Sequence, residues 1–180
     1  MILDPQQQIL ELAKHRGALR FGNFVLSSGQ RSSYYFDGRL LTLDAQGAYL
    51  VGKALFPQIH AWGAEAVGGP TLGADPMVSS VILTSYLEGY PVRGFLVRKG
   101  AKDHGVGQLI EGPLVIGDGK SPRVAIMDDT CSTGGNLFHA IAAVIEASST
   151  IAAVVLWYFL FPVSIPSFAL FHISFKFSQN

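Results

Sequence analysis

The sequence predicts an α/β domain: a mostly parallel sheet with helices on both faces. Three observations predict it. Short apolar runs at 65–69, 91–98, 123–127 and 151–156 read as strands, with polar or Gly-rich loops and helical patterns placed between them in order. The run Val124-Ala125-Ile126-Met127 is apolar throughout, as a short buried strand should be. Finally, 180 residues of which 49% are hydrophobic suit one domain with a sizeable core.

Asp4 and Pro5 open a first helix as N-cap and first helical residue, with Ile9, Leu10, Leu12 and Ala13 on its apolar side and Gly17 as its stop. Residues 21–37 alternate, carry aromatics and turn at Ser27-Ser28-Gly29, which predicts a β-hairpin. The aromatics Tyr34, Tyr35 and Phe36 either decorate a surface hairpin or cover a flat ring. Asp44 caps a helix to about residue 59. After the strand at 65–69, Asp75 and Pro76 repeat the N-cap and first-position pair and open a helix ending near Gly89. The Gly-rich loop 69–76 ahead of that helix is a second oxyanion site, suited to pyrophosphate.

The strand at 91–98 leads into a loop where Arg98, Lys99, Lys102 and His104 fall close together among glycines. It reads either as a solvated basic hairpin or as a loop that closes over a polyanion and excludes water. A helix from Asn136 to about Ala147 presents Leu137, Ile141, Val144 and Ile145 at buried-face spacing. His139 in that helix reads as a surface or cap residue.

Charge and cysteine content narrow the classes. With 13 basic and 13 acidic residues the net charge is zero, which argues against nucleic-acid binding through a basic face. The single cysteine, Cys131, forms no internal disulfide and points to a reducing compartment, the cytoplasm. Residues 1–20 mix charges into an amphipathic pattern, so no signal peptide is expected.

The chemistry concentrates in residues 123–136, where Arg-Val-Ala-Ile-Met is followed by Asp128-Asp129-Thr130-Cys131-Ser132-Thr133-Gly134-Gly135-Asn136. A strand, a tight polar loop and a helix start aim backbone N–H groups and the helix dipole at one point, which suits a phosphate. Gly134 and Gly135 permit positive φ and close approach, and Thr130, Ser132 and Thr133 supply hydroxyl donors. Carboxylates repel phosphate, so Asp128 and Asp129 need other partners: ribose hydroxyls or Mg²⁺. A ligand with a phosphate, a sugar diol and bound magnesium satisfies all three groups, and phosphoribosyl diphosphate (PRPP) is such a ligand. The loop 130–136 does not end in Gly-Lys-Ser/Thr, so it is not a P-loop. The plainer alternative is a strand-to-helix turn with an aspartate cap.

This stretch resembles the PRPP-binding signature of the type I phosphoribosyltransferases. Together and in order, hairpin 21–37, loop 69–76, loop 98–112 and residues 123–136 resemble the orotate phosphoribosyltransferases. The Arg98-Lys99-x-x-Lys102-x-His104 pattern discriminates best, and the resemblance covers roughly residues 10–156. It implies a type I phosphoribosyltransferase-like fold: a core over 41–156 and a small N-terminal hood hairpin over 1–40, together one domain of residues 1–156. It also implies transfer of ribose 5-phosphate from PRPP to orotate, giving orotidine 5′-monophosphate and pyrophosphate with Mg²⁺, in pyrimidine biosynthesis. By the resemblance, Thr130, Cys131, Ser132, Thr133, Gly134, Gly135 and Asn136 bind PRPP, and Asp128 and Asp129 hold the ribose hydroxyls directly or through magnesium. Arg98, Lys99, Lys102 and His104 meet the pyrophosphate, with Lys99, Lys102 and His104 neutralising it as it departs. Tyr35 and Phe36 stack on orotate and Ser132 hydrogen-bonds it. The loop 98–112 crosses to a neighbouring site, implying a homodimer.

Two departures stand out. Some members carry lysine where this chain has Ser27, and others serine. More consequentially, the family continues after the position of Leu156 with Asp-Arg, whose arginine pairs with the orotate carboxylate. Here Trp157-Tyr158-Phe159-Leu160-Phe161-Pro162 follows, and no arginine occurs after Arg123. The remainder is rich in Phe and Ser, and the chain ends sooner than chains of that family usually do. The abrupt change favours a shifted reading frame or an altered terminus for residues 157–180. A divergent last core strand is the second reading. A membrane span is the third, and Pro162 and Pro166 argue against it. The missing arginine leaves a non-catalytic or altered-specificity PRPP-binding protein as the alternative function.

Overall fold

The computed structural model describes residues 5–25, 29, 31–100, 109–114, 121–130, 134–147, 150–156 and 171–173. Helix α1 (Pro5–His15) buries Ile9, Leu12 and Ala13. It stops where Gly17 takes a left-handed φ of 69°, which glycine adopts without steric penalty. Asp4 lies outside the described residues. Strands β1 (Leu19–Val25) and β2 (Arg31–Phe36) form the expected hairpin, an antiparallel sheet of its own. A short turn of helix, α2 (Arg39–Thr42), follows. Nothing in the sequence announced it, because four residues are too few to display a period. Helix α3 (Ala45–Ala61) starts as foreseen: the Asp44 carboxylate accepts from the amides of Gln46 and Gly47.

The core then alternates strand and helix: β3 (Ala66–Pro70), α4 (Ala74–Leu87), β4 (Arg93–Val97), β5 (Ile110–Glu111), β6 (Arg123–Asp128), α5 (Gly135–Glu146), β7 (Thr150–Leu156) and β8 (Phe171–Ile173). The strands stand in the order β5-β4-β3-β6-β7-β8. The four central strands are parallel, and β5 and β8 add antiparallel edges. Strand β8 comes from the 157–180 segment and pairs Ile173 with Val154 and Phe171 with Leu156. Among the described residues no helix is long and apolar enough to cross a membrane.

Alternation along β6 sorts the core into two layers. Ala125 and Met127 face α1, α3 and α4, while Val124 and Ile126 face α5. The α5 face is turned slightly from the predicted one: Leu137, Ala140, Ala143 and Val144 are buried, and Ile145 is 46% exposed. Two alanines at the contact let α5 lie close to the sheet, which rolls Ile145 outward. Helix α4 also begins earlier than expected. Gly73 is its N-cap, with no side-chain cap bond, so Asp75 sits inside the first turn rather than capping it. Pro76 is tolerated there because the first-turn amides have no partner within the helix.

Candidate active site

Strand β3 has β4 on one side and β6 on the other, so the connections leaving β3 and β6 run in opposite directions. Such a switch point opens a crevice at the carboxyl ends of the strands. The two loops that the sequence singled out meet there. A Cβ on Gly69 would strike the Met127 carbonyl oxygen, so β3 and β6 approach more closely than a side chain permits. Beyond it the turn 71–73, which includes a cis Thr71–Leu72 peptide, leads into α4. A Cβ on Gly73 would run into Asp129 Oδ1 and stand 3.0 Å from Asp128 Oδ1. The turn predicted for pyrophosphate therefore abuts the acid pair predicted for the sugar.

Asp128 and Asp129 are 6% and 8% exposed. The Asp129 amide donates to Asp128 Oδ1 (3.0 Å), and the Thr130 hydroxyl donates to Asp129 Oδ1 (3.3 Å). Among the described residues no cation comes within 4.0 Å of either carboxylate. Burial, and then the neighbouring Asp129 charge, push the Asp128 carboxyl up to about 7. Two adjacent acids thus lie buried with no ion-pair partner among the described residues, and a metal or a pair of hydroxyl donors would relieve them. They are not a metal cage: among the described residues no three His, Cys, Asp or Glu side chains stand together. That donor set fits Mg²⁺, which keeps waters and ligand phosphates around it and takes only one or two carboxylates from protein.

The raised Asp128 carboxyl makes stability depend on pH. The folded state holds a proton that the unfolded chain releases near pH 4. This contribution is present at low pH and is lost as pH rises from about 4 to about 7. Asp37 and Asp44 have lowered carboxyls, so their contributions are lost only as pH falls below the ordinary carboxylate range. Ligand-free protein should therefore show a melting temperature that declines between pH 5 and pH 7.5. Asp128→Asn should flatten that decline; parallel curves for the two proteins would show that Asp128 does not hold the proton.

The hood supplies the other wall. Period-two alternation places Tyr34 and Phe36 on one face of β2, where both pack against the core. Phe36 continues to the acid pair: its Cε1 is 3.3 Å, and Asp129 Oδ2 3.0 Å, from the place a Gly38 Cβ would occupy. Tyr35 lies on the opposite face, its ring 5.7 Å from that of Phe24 and beneath the Arg20 guanidinium at 5.1 Å. The structure thus separates the two aromatics expected to stack on orotate. Next to Gly38, Arg39 grips Asp37 through two bonds, Nε to Oδ1 (2.9 Å) and Nη2 to Oδ2 (3.0 Å). This fork holds the Asp37 carboxyl below its usual range. No motif marked Gly38 or Arg39, and Gly73 was marked only within the loop 69–76, because their proximity to Asp129 arises only from folding.

Of the phosphate loop, Gly134 takes a left-handed φ of 81° and caps α5, as expected for the glycine there. Gly135 and Asn136 begin the helix, with Asn136 exposed. Cys131, Ser132 and Thr133 lie outside the described residues, as do Lys102 and His104. Arg98 and exposed Lys99 stand just beyond β4, at the same carboxyl edge of the sheet. The Arg98 amide donates to the Leu109 carbonyl (2.9 Å), and its guanidinium lies 3.5 Å from Glu111, so the two ends of the basic loop are held together.

No protein-family model matches the chain. Individual proteins do. The chain is 42% identical over 146 residues to the orotate phosphoribosyltransferase of Thermosynechococcus vestitus, covering 81% of this chain and 75% of that one. The chain belongs to the orotate phosphoribosyltransferase family. Solved structures agree. Mycobacterium tuberculosis orotate phosphoribosyltransferase in complex with Fe(III) dicitrate superposes with a TM-score of 0.70 at 34% identity, covering 85% of this chain and 83% of that chain. The same enzyme in complex with PRPP gives 0.65 at 28% identity, covering 87% and 76%.

Proposed function

We propose that this member of the orotate phosphoribosyltransferase family transfers ribose 5-phosphate from PRPP to orotate, releasing orotidine 5′-monophosphate and pyrophosphate. The observation that carries the reading is the buried Asp128–Asp129 couple, with no ion-pair partner among the described residues, set between the Gly73 turn and the start of α5. The amides and hydroxyls of 130–136 take the 5′-phosphate, and Asp128 and Asp129 take the ribose diol. Mg²⁺, when bound with PRPP, would neutralise phosphate charge beside these acids. Arg98, Lys99, Lys102 and His104 receive the negative charge that grows on pyrophosphate as the C1′–O bond breaks, and cations aimed there lower the barrier. Phe36 and Ser132 form the orotate side, and Tyr35, on the opposite hairpin face, does not join them.

The working unit is a cytoplasmic homodimer. Its catalytic domain is residues 1–156, and the 157–180 segment adds the antiparallel edge strand β8 to the sheet of that domain. The basic loop leaves the sheet at its β5 edge, well placed to serve a neighbouring site. Tyr49 on α3 and Leu83, Tyr86 and Leu87 on α4 are 61–73% exposed, an apolar surface suited to a second copy.

One observation favours a second reading. Leu156 pairs with Asp128, so the chain leaves β7 beside the acid pair, where the family has Asp-Arg and this chain has Trp157-Tyr158. Losing a charge-assisted bond to the orotate carboxylate costs about 1.5–3 kcal/mol. A PRPP-binding protein that turns over no orotate is the alternative. Following orotate absorbance with PRPP and Mg²⁺, alongside calorimetry of PRPP, separates the two. Magnesium-dependent consumption of orotate supports the transferase. PRPP binding without consumption of any base supports the alternative, and consumption of adenine or another base overturns the substrate assignment.

A further inference from the structure

Helix α5 starts at the phosphate loop and packs on the β3 and β6 side of the sheet, whereas the cations Arg98 and Lys99 follow β4. Strand β3 stands between β4 and β6, so the sheet joins these two functional segments only indirectly. Besides the apolar packing of α5 on Phe95 and Val97, a hydrogen bond ties the helix to the end of β4. His139, in the second turn of α5 and half-buried, places Nε2 2.9 Å from the Arg98 carbonyl oxygen. A carbonyl only accepts, so Nε2 carries the hydrogen and donates it.

Arg98 is consequently held from two sides. Its amide donates to Leu109 and its carbonyl accepts from His139. Its side chain is much less committed: the guanidinium reaches Glu111 at 3.5 Å, and its buried Nε has no hydrogen-bond partner among the described residues. The backbone is thus the fixed point from which the Arg98 and Lys99 side chains extend.

We propose that His139 is a positioning residue, which by holding the Arg98 carbonyl sets the Arg98–Lys99 cations at a constant distance from the phosphate loop at the head of α5. A substrate bound through a phosphate at one end and a diphosphate at the other needs that span held constant, since small displacements of charged groups are costly in the transition state. The inference rests on the transferase reading of the site, and its test is chosen to be separable from it.

His139→Leu removes the donor and keeps an apolar side chain. His139→Gln keeps an amide donor at similar reach. The leucine variant should lose about tenfold in kcat, with KM for orotate unchanged, and the glutamine variant should recover most of the loss. Hydrogen exchange of the Arg98 amide should be faster in the leucine variant and return towards wild type in the glutamine variant. Wild-type kcat and exchange in the leucine variant, or a glutamine variant no better than leucine in either measure, would overturn the proposal. Exchange is read without turnover, so it decides the tether even if the wild-type protein transfers ribose phosphate to no base. A leucine variant that fails to fold leaves the comparison of glutamine with wild type, where slow exchange and near-normal kcat are expected and their loss counts against the tether.

Discussion

Replacing Gly73 by alanine is expected to cut turnover about a hundredfold while leaving the domain folded. Gly73 has an ordinary helical conformation, φ −63° and ψ −41°, so backbone strain is not the issue. Space is. An added Cβ would overlap Asp129 Oδ1 and crowd Asp128 Oδ1. On the hood side Asp129 lies close to Gly38, where an added Cβ would stand 3.0 Å from Asp129 Oδ2 and Cβ. The carboxylate must therefore rotate or the turn 71–73 must move, and either change misplaces groups meant for the ribose and the pyrophosphate. Steady-state kinetics with PRPP and orotate, beside a thermal melt, tests this. A Gly73→Ala protein with wild-type kcat would show that the acid pair and the turn do not act together.

Lys102→Ala is expected to lower kcat about a hundredfold or more with little change in melting temperature. Lys102 lies outside the described residues, and its assignment comes from the Arg-Lys-x-x-Lys-x-His pattern. The physical basis is differential: pyrophosphate carries more charge as the C1′–O bond breaks than PRPP carries on that oxygen before it, so an aimed cation helps the transition state most. KM for PRPP should change much less than kcat. Unchanged kcat would remove Lys102 from the mechanism. A fall in melting temperature comparable with the loss of activity would make its role structural.

Much of this fold was legible because its signals are local. Strands at 65–69 and 151–156, the Asp44 cap and the α5 start after Gly134 each follow from a few consecutive residues and match the observed elements closely. Where sequence and structure differ, tertiary packing is the reason. Asp75 fell inside α4 because the turn pressed against the acid pair starts the helix at Ala74. Ile145 turned outward because Ala140 and Ala143 let α5 approach the sheet. His139 read as a surface or cap residue because its partner, the Arg98 carbonyl, belongs to a distant strand.

By itself the sequence determined the chemical character of the site: two acids for a sugar, then amides and hydroxyls for a phosphate, on one continuous segment where covalent connection already guarantees their proximity. The tertiary structure alone decided what surrounds that segment. It set Gly73 and Gly38 against Asp129, brought Phe36 towards the acids while turning Tyr35 to the other hairpin face, and tied α5 to the end of β4 through His139. These contacts join residues far apart in the chain, and they depend on strand order in a closed core, which leaves no local trace in the sequence.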